Sequence, residues 1–116
     1  MLVKNASKSE ILSENAEVCD TTLKKFIGLM FSKNRNRFLV FNFNKKARVS
    51  LHMLFVFYPI DVIFLNDKKA VVDLKENFMP FTFYTSKNPA LYCIECPAGT
   101  IKKTKTEIKN KINFSG

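Results

Sequence analysis

Apolar residues in this chain recur mainly with a period of two, which is the signature of strands. Over residues 37–44, Leu39, Phe41 and Phe43 fall on one face and Asn42 and Asn44 on the other, so a half-buried strand is predicted. Over residues 49–57, Val49, Leu51, Met53, Phe55 and Phe57 line one face, with Leu54 and Val56 opposite. A strand apolar on both faces belongs inside a sandwich or barrel. Pro59 ends it, because proline cannot donate to the ladder. Residues 62–65 form the next strand, the Asn66-Asp67-Lys68-Lys69 turn follows, and residues 70–74 return antiparallel.

The flanks read in the same way. Ile11-Leu12 and residues 16–19, separated by polar residues, predict a hairpin-like start. Residues 78–84 are aromatic but interrupted by Pro80, which predicts an edge or irregular segment. Residues 91–96 form a strand closed by Pro97-Ala98-Gly99. Residues 100–103 make one helical turn, and residues 111–114 a last short strand. One segment breaks the period: Leu23, Phe26, Ile27 and Met30 are spaced by three and four, which predicts a short helix capped by Asp20 or Thr21, with Gly28 near its end. About eight strands in a single domain spanning residues 1–116 predict a mainly β chain, a compact antiparallel β-sandwich or partly closed barrel with one or two short helices.

Composition narrows the class. Of 116 residues, 47% are hydrophobic and 12 are Phe, enough apolar material for a packed core. The uncharged part of the most apolar stretch, residues 49–60, is 12 residues long, whereas a membrane helix needs about 20. No membrane association is expected. The N-terminal residues lack the basic-then-apolar pattern of a secretory leader, and three cysteines do not make a disulfide scaffold, so a cytoplasmic location is expected.

Charge is uneven. The net charge of +9 is concentrated in residues 21–60, which carry +8 with no acid, and residues 101–116, which carry +4, while the remaining residues carry −3. Lys24, Lys25, Lys33, Arg35, Arg37, Lys45, Lys46 and Arg48, together with Lys102, Lys103 and Lys105, are therefore candidates for binding nucleic acid or another polyanion, should the two segments share a face. Only three of the 19 cations are Arg, the better phosphate fork, so a Lys- and Asn-rich composition that merely solubilises the surface is the plainer reading.

Chemistry-bearing residues are few. Cys93 and Cys96 match a CxxC spacing, but on a strand they lie about 10 Å apart on opposite faces, too far for a disulfide. With Cys19 and His52 they would have to supply every ligand of a closed zinc site, so no metal or cofactor is expected. His52 is the single imidazole. Asp61 and Glu95 are the acids embedded in apolar strands, where burial raises a carboxyl's pKa unless a partner holds its charge. For both acids the plainer role is to accept the N–H groups of the turn after Pro59 or to pair with Lys or Arg. No phosphate-loop, zincin or nucleophile-elbow motif is present.

Several blocks occur in an order that resembles domain-of-unknown-function family 192. They are Gly28-Leu29-Met30, the strand at 38–43, Leu51-His52-Met53-Leu54-Phe55, Pro59-Ile60-Asp61-Val62-Ile63-Phe64-Leu65 and Glu95-Cys96-Pro97-Ala98-Gly99-Thr100-Ile101. The resemblance runs from about residue 18 to 114. Many members carry Phe-Trp-Met-Lys-Asn-Thr where residues 51–56 here read Leu-His-Met-Leu-Phe-Val, which resembles an archaeal variant. The resemblance implies a small β-rich sandwich or barrel and no established activity.

The sequence thus leads to a binding module for a small ligand or protein partner, with a cleft near His52, Met53, Asp61 and Glu95. One alternative is polyanion binding through residues 24–48 and 102–111. A second is acid–base hydrolysis using His52 with Asp61 or Glu95.

Overall fold

A computed structural model of the chain describes residues 1–19, 36–52 and 57–115, without the side chain of His52. The strands are β1 (Val3–Asn5), β2 (Glu10–Ser13), β3 (Glu17–Cys19), β4 (Leu39–Ala47), β5 (Ser50–His52), β6 (Ile60–Leu65), β7 (Val71–Phe78), β8 (Phe83–Thr85), β9 (Ala90–Pro97) and β10 (Ile112–Asn113). The helical turn α1 (Thr100–Lys103) follows β9.

Among the described residues three sheets form: a central one in the order β3-β4-β9-β6-β7, a three-stranded one in the order β10-β1-β2, and a ribbon of β5 and β8. The central sheet is covered on both faces. On one side Leu39, Phe41, Ile60, Val62, Phe64 and Cys93 pack with Val49, Leu51 and Tyr84 of the ribbon side. On the other, Val40, Ile63, Leu65, Ile94 and Cys96 pack with Val3, Leu12, Ile101 and Ile112. Double coverage explains why all six residues of β6 are buried, Asp61 among them. It also explains why that segment reads as a continuous apolar run rather than an alternating one.

The fold is mainly β and layered, as expected. The sheets are separate, so the sandwich rather than the barrel describes it. The turn at residues 66–69 joins β6 and β7 antiparallel, with the Asn66 side chain accepting from the Lys68 and Ala70 N–H groups. Two expectations are corrected. The pairing is not wholly antiparallel: β3 lies parallel to β4, a geometry that the long connection between them allows. Residues 11–12 and 16–19 do not form a hairpin either. β2 turns back on β1, while β3 enters the central sheet. A strand at residues 3–5, apolar only at Val3, had no pattern to announce it. The strand expected over 49–57 is described only at β5, and the helix expected over 21–30 lies outside the described residues. Among the described residues no helix is long and apolar enough to cross a membrane.

Candidate functional site

Strand parity decides where the two embedded acids go. In the central sheet Asp61 pairs with Cys96, and Val62 pairs with Glu95. Side chains alternate along a strand, so the neighbours Asp61 and Val62 point to opposite faces. Asp61 therefore shares the face of Ile63 and Cys96, and Glu95 that of Val62, Leu39 and Cys93.

Asp61 is 1% exposed and fully engaged. One carboxylate oxygen accepts from the Asn77 N–H at 2.9 Å, where β7 bulges, and Asn77 itself has a φ of 50°. The other accepts from the Gly99 and Ile101 N–H groups, at 3.1 and 2.9 Å. Gly99 precedes α1 with a φ of 95°, a left-handed conformation that favours glycine. Asp61 thus pins α1 and the end of β7 to β6 through three N–H groups, of which that of Ile101 is buried and would otherwise be left unpaired.

On the same side Asn5 is fully buried. Its amide donates to Thr106 and Asn110, and its carbonyl accepts from the Lys8 N–H. The polar groups here are consumed in holding the third layer. Burial first, and then the Asp61 charge, pushes the Cys96 thiol far above its ordinary pKa, so it behaves as a small apolar side chain. All three cysteines are buried; Cys93 and Cys96 face opposite sides, as the strand spacing predicts.

The Glu95 face is different. Glu95 keeps part of its surface, but its cross-strand neighbours are Leu39 and Val62, and none of the described residues donates a hydrogen bond to its carboxyl. Burial pushes the carboxyl up to about 7, within the range where it can carry or release a proton near neutrality. The second acid on this face, Asp73, is buried but saturated. It accepts from the Tyr84 hydroxyl at 2.6 Å and the Lys87 N–H at 2.9 Å, and from the Leu74 N–H. Burial, reinforced by that bond, pushes the Tyr84 phenol up to about 12. Asp73 and Tyr84 together clamp the ribbon to the central sheet. An alternating surface strand with one aspartate gave no sequence signal for this pair.

Of the four residues expected near one cleft, the two acids do not meet. The central sheet separates Asp61 from Glu95. The His52 backbone pairs with Phe83 in the ribbon, its side chain is outside the described residues, and so is Met53. The shared pocket that hydrolysis with both carboxylates would need is not formed.

The candidate cations scatter as well. Lys24, Lys25, Lys33 and Arg35 lie outside the described residues. Arg37 is engaged by Glu17, whose two oxygens take its Nε at 2.9 Å and a terminal nitrogen at 3.1 Å. That pairing lowers the Glu17 pKa. Lys46 lies 3.9 Å from Asp67, Lys45 is exposed, and Arg48 donates to the Ser86 carbonyl. Lys45, Lys46 and Arg48 flank the Ala47–Ala90 end of the sheet, whereas Arg37 precedes the Leu39–Glu95 pair and Lys102, Lys103 and Lys105 follow Pro97 towards the other end. Seven residue steps along β9, from Ala90 to Pro97, separate the ends, about 23 Å at strand rise.

An open groove of about 450 Å³ lies elsewhere, lined by Leu2, Lys4, Lys69, Asn113, Phe114 and Ser115. Its Lys69 ammonium sits 4.1 Å from the Phe114 ring centre and donates to the Phe114 carbonyl. Its walls come from three distant segments, which no local pattern could have joined.

These features define a class: a small layered β protein, one face of whose central sheet is cemented by buried hydrogen bonds, while the other carries a carboxyl that the described residues leave unpaired. The chain belongs to the DUF192 family (Uncharacterized ACR), whose model matches residues 3–114. It is 39% identical to a UPF0127 protein of Thermococcus sibiricus, over 95% of this chain and 72% of that protein. It is 37% identical to one of Pyrococcus furiosus, over 96% of both. Two crystal structures share the fold at low identity. A Novosphingobium aromaticivorans protein of unknown function matches with a TM-score of 0.83 and 20% identity, over 97% of this chain and 82% of that one. A Sinorhizobium meliloti protein, provisionally described as a transcription regulator, matches with a TM-score of 0.84 and 21% identity, over 97% and 89%.

Proposed function

We propose that this protein is a binding module whose working face is the Glu95 side of the central sheet. The occupant would be a small molecule carrying an amine, amide or hydroxyl donor. One observation carries the reading: Glu95 is set among Leu39, Val62 and Cys93 with no donor from the described residues, while Asp61, Asp73 and Asn5 are all satisfied. A carboxyl held in apolar surroundings is costly to the fold, and a donor arriving with the ligand would offset that cost.

The test is a fragment screen read by methyl NMR, using small amines and amides as probes, with a Glu95→Gln variant alongside. Hits should shift the methyls of Leu39 and Val62 and weaken in the variant. Hits that gather instead on Leu2 and Ile112, beside the groove, would refute the assignment.

A second reading, polyanion binding, is supported by the net charge of +9 and by the provisional description of the Sinorhizobium protein. It predicts retention on an immobilised polyanion that falls steeply with salt. Elution at low salt would remove it.

A further inference from the structure

The outer face of the ribbon is built unlike the rest of the surface. Phe83 stands on β8 with 79% of its surface exposed. Phe57 and Phe81 are each 58% exposed and pack edge to face, with ring centres 5.8 Å apart. Phe81 occupies a turn after Pro80 with a φ of 63°, where a type II turn favours glycine, and the Thr82 hydroxyl closes the turn on the Met79 carbonyl at 2.6 Å. A bulky aromatic at positive φ is strained where glycine is not, and its ring is left largely in water. Along the same ribbon face the Ser50 and Thr85 hydroxyls meet at 2.9 Å. Beyond them Arg48 precedes β5 and Lys87 follows β8, both exposed. From Phe83 to Lys87 is about 13 Å at strand rise. Residues 77–94 contain no Asp or Glu, and neither do residues 36–60. The acid beneath the ribbon, Asp73, is buried and saturated.

We propose that the ribbon face from Phe57, Phe81 and Phe83 to Arg48 and Lys87 is a docking strip for single-stranded nucleic acid. Bases stack on the phenyl rings, and phosphates reach the two cations. The inference rests on the polyanion reading and places it on a surface that the basic segments alone did not indicate. Charge complementarity selects the occupant, since rings and cations without acids suit a strand that is aromatic and anionic at once. Size argues against a second copy of the chain. The exposed parts of three phenyl rings amount to roughly 400 Å², about half of the ~800 Å² per partner in a standard protein interface.

The experiment is fluorescence anisotropy with a labelled 20-nucleotide single-stranded RNA and its DNA equivalent, at low and moderate salt. The variants are Phe81→Gly, which suits the turn, and Phe83→Ala, which removes an exposed ring. Both should melt at or near the wild-type temperature while binding about tenfold more weakly each. Arg48→Gln with Lys87→Gln should lower the salt dependence by about one phosphate contact per cation. Binding unchanged in the folded Phe variants, or equal affinity for duplex, would overturn the strip while leaving polyanion binding intact. No binding to any nucleic acid at low salt would overturn both. Concentration-dependent self-association that Phe81→Gly abolishes, without nucleic-acid binding, would assign the surface to a second copy instead.

Discussion

Replacing Glu95 by Gln separates a carboxyl that the fold tolerates from one that it uses for stability. The folded carboxyl titrates at about 7 against 4.5 for an ordinary glutamate, because burial disfavours its charged form. Between those values the folded protein holds a proton that the unfolded chain has lost. Stability is therefore fully present below pH 4.5, falls as pH rises towards 7, and stays low above it. At 1.36 kcal/mol per pKa unit the whole effect is bounded by about 3 kcal/mol. Glu95 keeps some contact with solvent, which reduces this to about 2 kcal/mol. Gln has nearly the same shape and no charge to bury. The two proteins should melt together at pH 4.5, and Glu95→Gln should melt about 8 °C higher at pH 8, taking roughly 4 °C per kcal/mol for a domain of this size. Thermal unfolding followed by circular dichroism at half-unit pH steps measures the gap, and every other titrating group cancels in the comparison. A gap that does not change with pH, or a variant less stable at pH 8, would refute the buried, unpaired carboxyl and the binding face built on it.

Other substitutions test the framework around that face. Asp61→Asn should cost about 3 kcal/mol, because an amide cannot accept from all three N–H groups, whereas Asp67→Asn, at an exposed 3.9 Å pair, should cost less than about 0.5 kcal/mol. Similar losses in urea unfolding would contradict the anchoring role. Tyr84→Phe should cost about 1–2 kcal/mol, and hydrogen exchange should rise first at the Val49 and Ser86 amides, which the ribbon protects. Exchange unaltered there would show that the clamp is dispensable. Phe81→Gly should leave the melting temperature unchanged or raise it by a few degrees, since glycine adopts a φ of 63° at no steric cost. A drop of several degrees would mean that the Phe57–Phe81 contact stabilises the fold.

Much of the fold could be read from residue order, for physical reasons that are local. The strand at 39–43, the turn at 66–69 and the stop at Pro97-Ala98-Gly99 each need only a few neighbouring residues, and each stands where expected, although β4 is buried on both faces at Leu39, Val40 and Phe41 rather than half-buried. The failures required partners remote in the chain. Ile11-Leu12 was joined to 16–19 because polar residues lay between them. Nothing in that segment reveals that Val3–Asn5 offers β2 a partner or that β3 lies parallel to β4. The carboxyls show the same division. That Asp61 and Glu95 sit in apolar strands is visible in the sequence, and so is Asp61's capacity to accept turn N–H groups. Which turn it holds, and that it faces away from Glu95, depends on the β6–β9 register.

By itself, then, the sequence determined a Phe-rich, mainly β domain, its principal turns, and an excess of positive charge. Those follow from period, proline and glycine, and simple counting. Only the tertiary structure decided that Asp61 is mortar while Glu95 lacks a donor among the described residues, that Lys45, Lys46 and Arg48 flank the opposite end of the sheet from Lys102 and Lys103, and that Phe57, Phe81 and Phe83 stand in water at and beside the ribbon. The physical reason is that side chains alternate across a strand. A one-residue difference in pairing sends a group to the other face, and pairing is fixed by burial summed over the whole sheet, a quantity that no stretch of sequence contains.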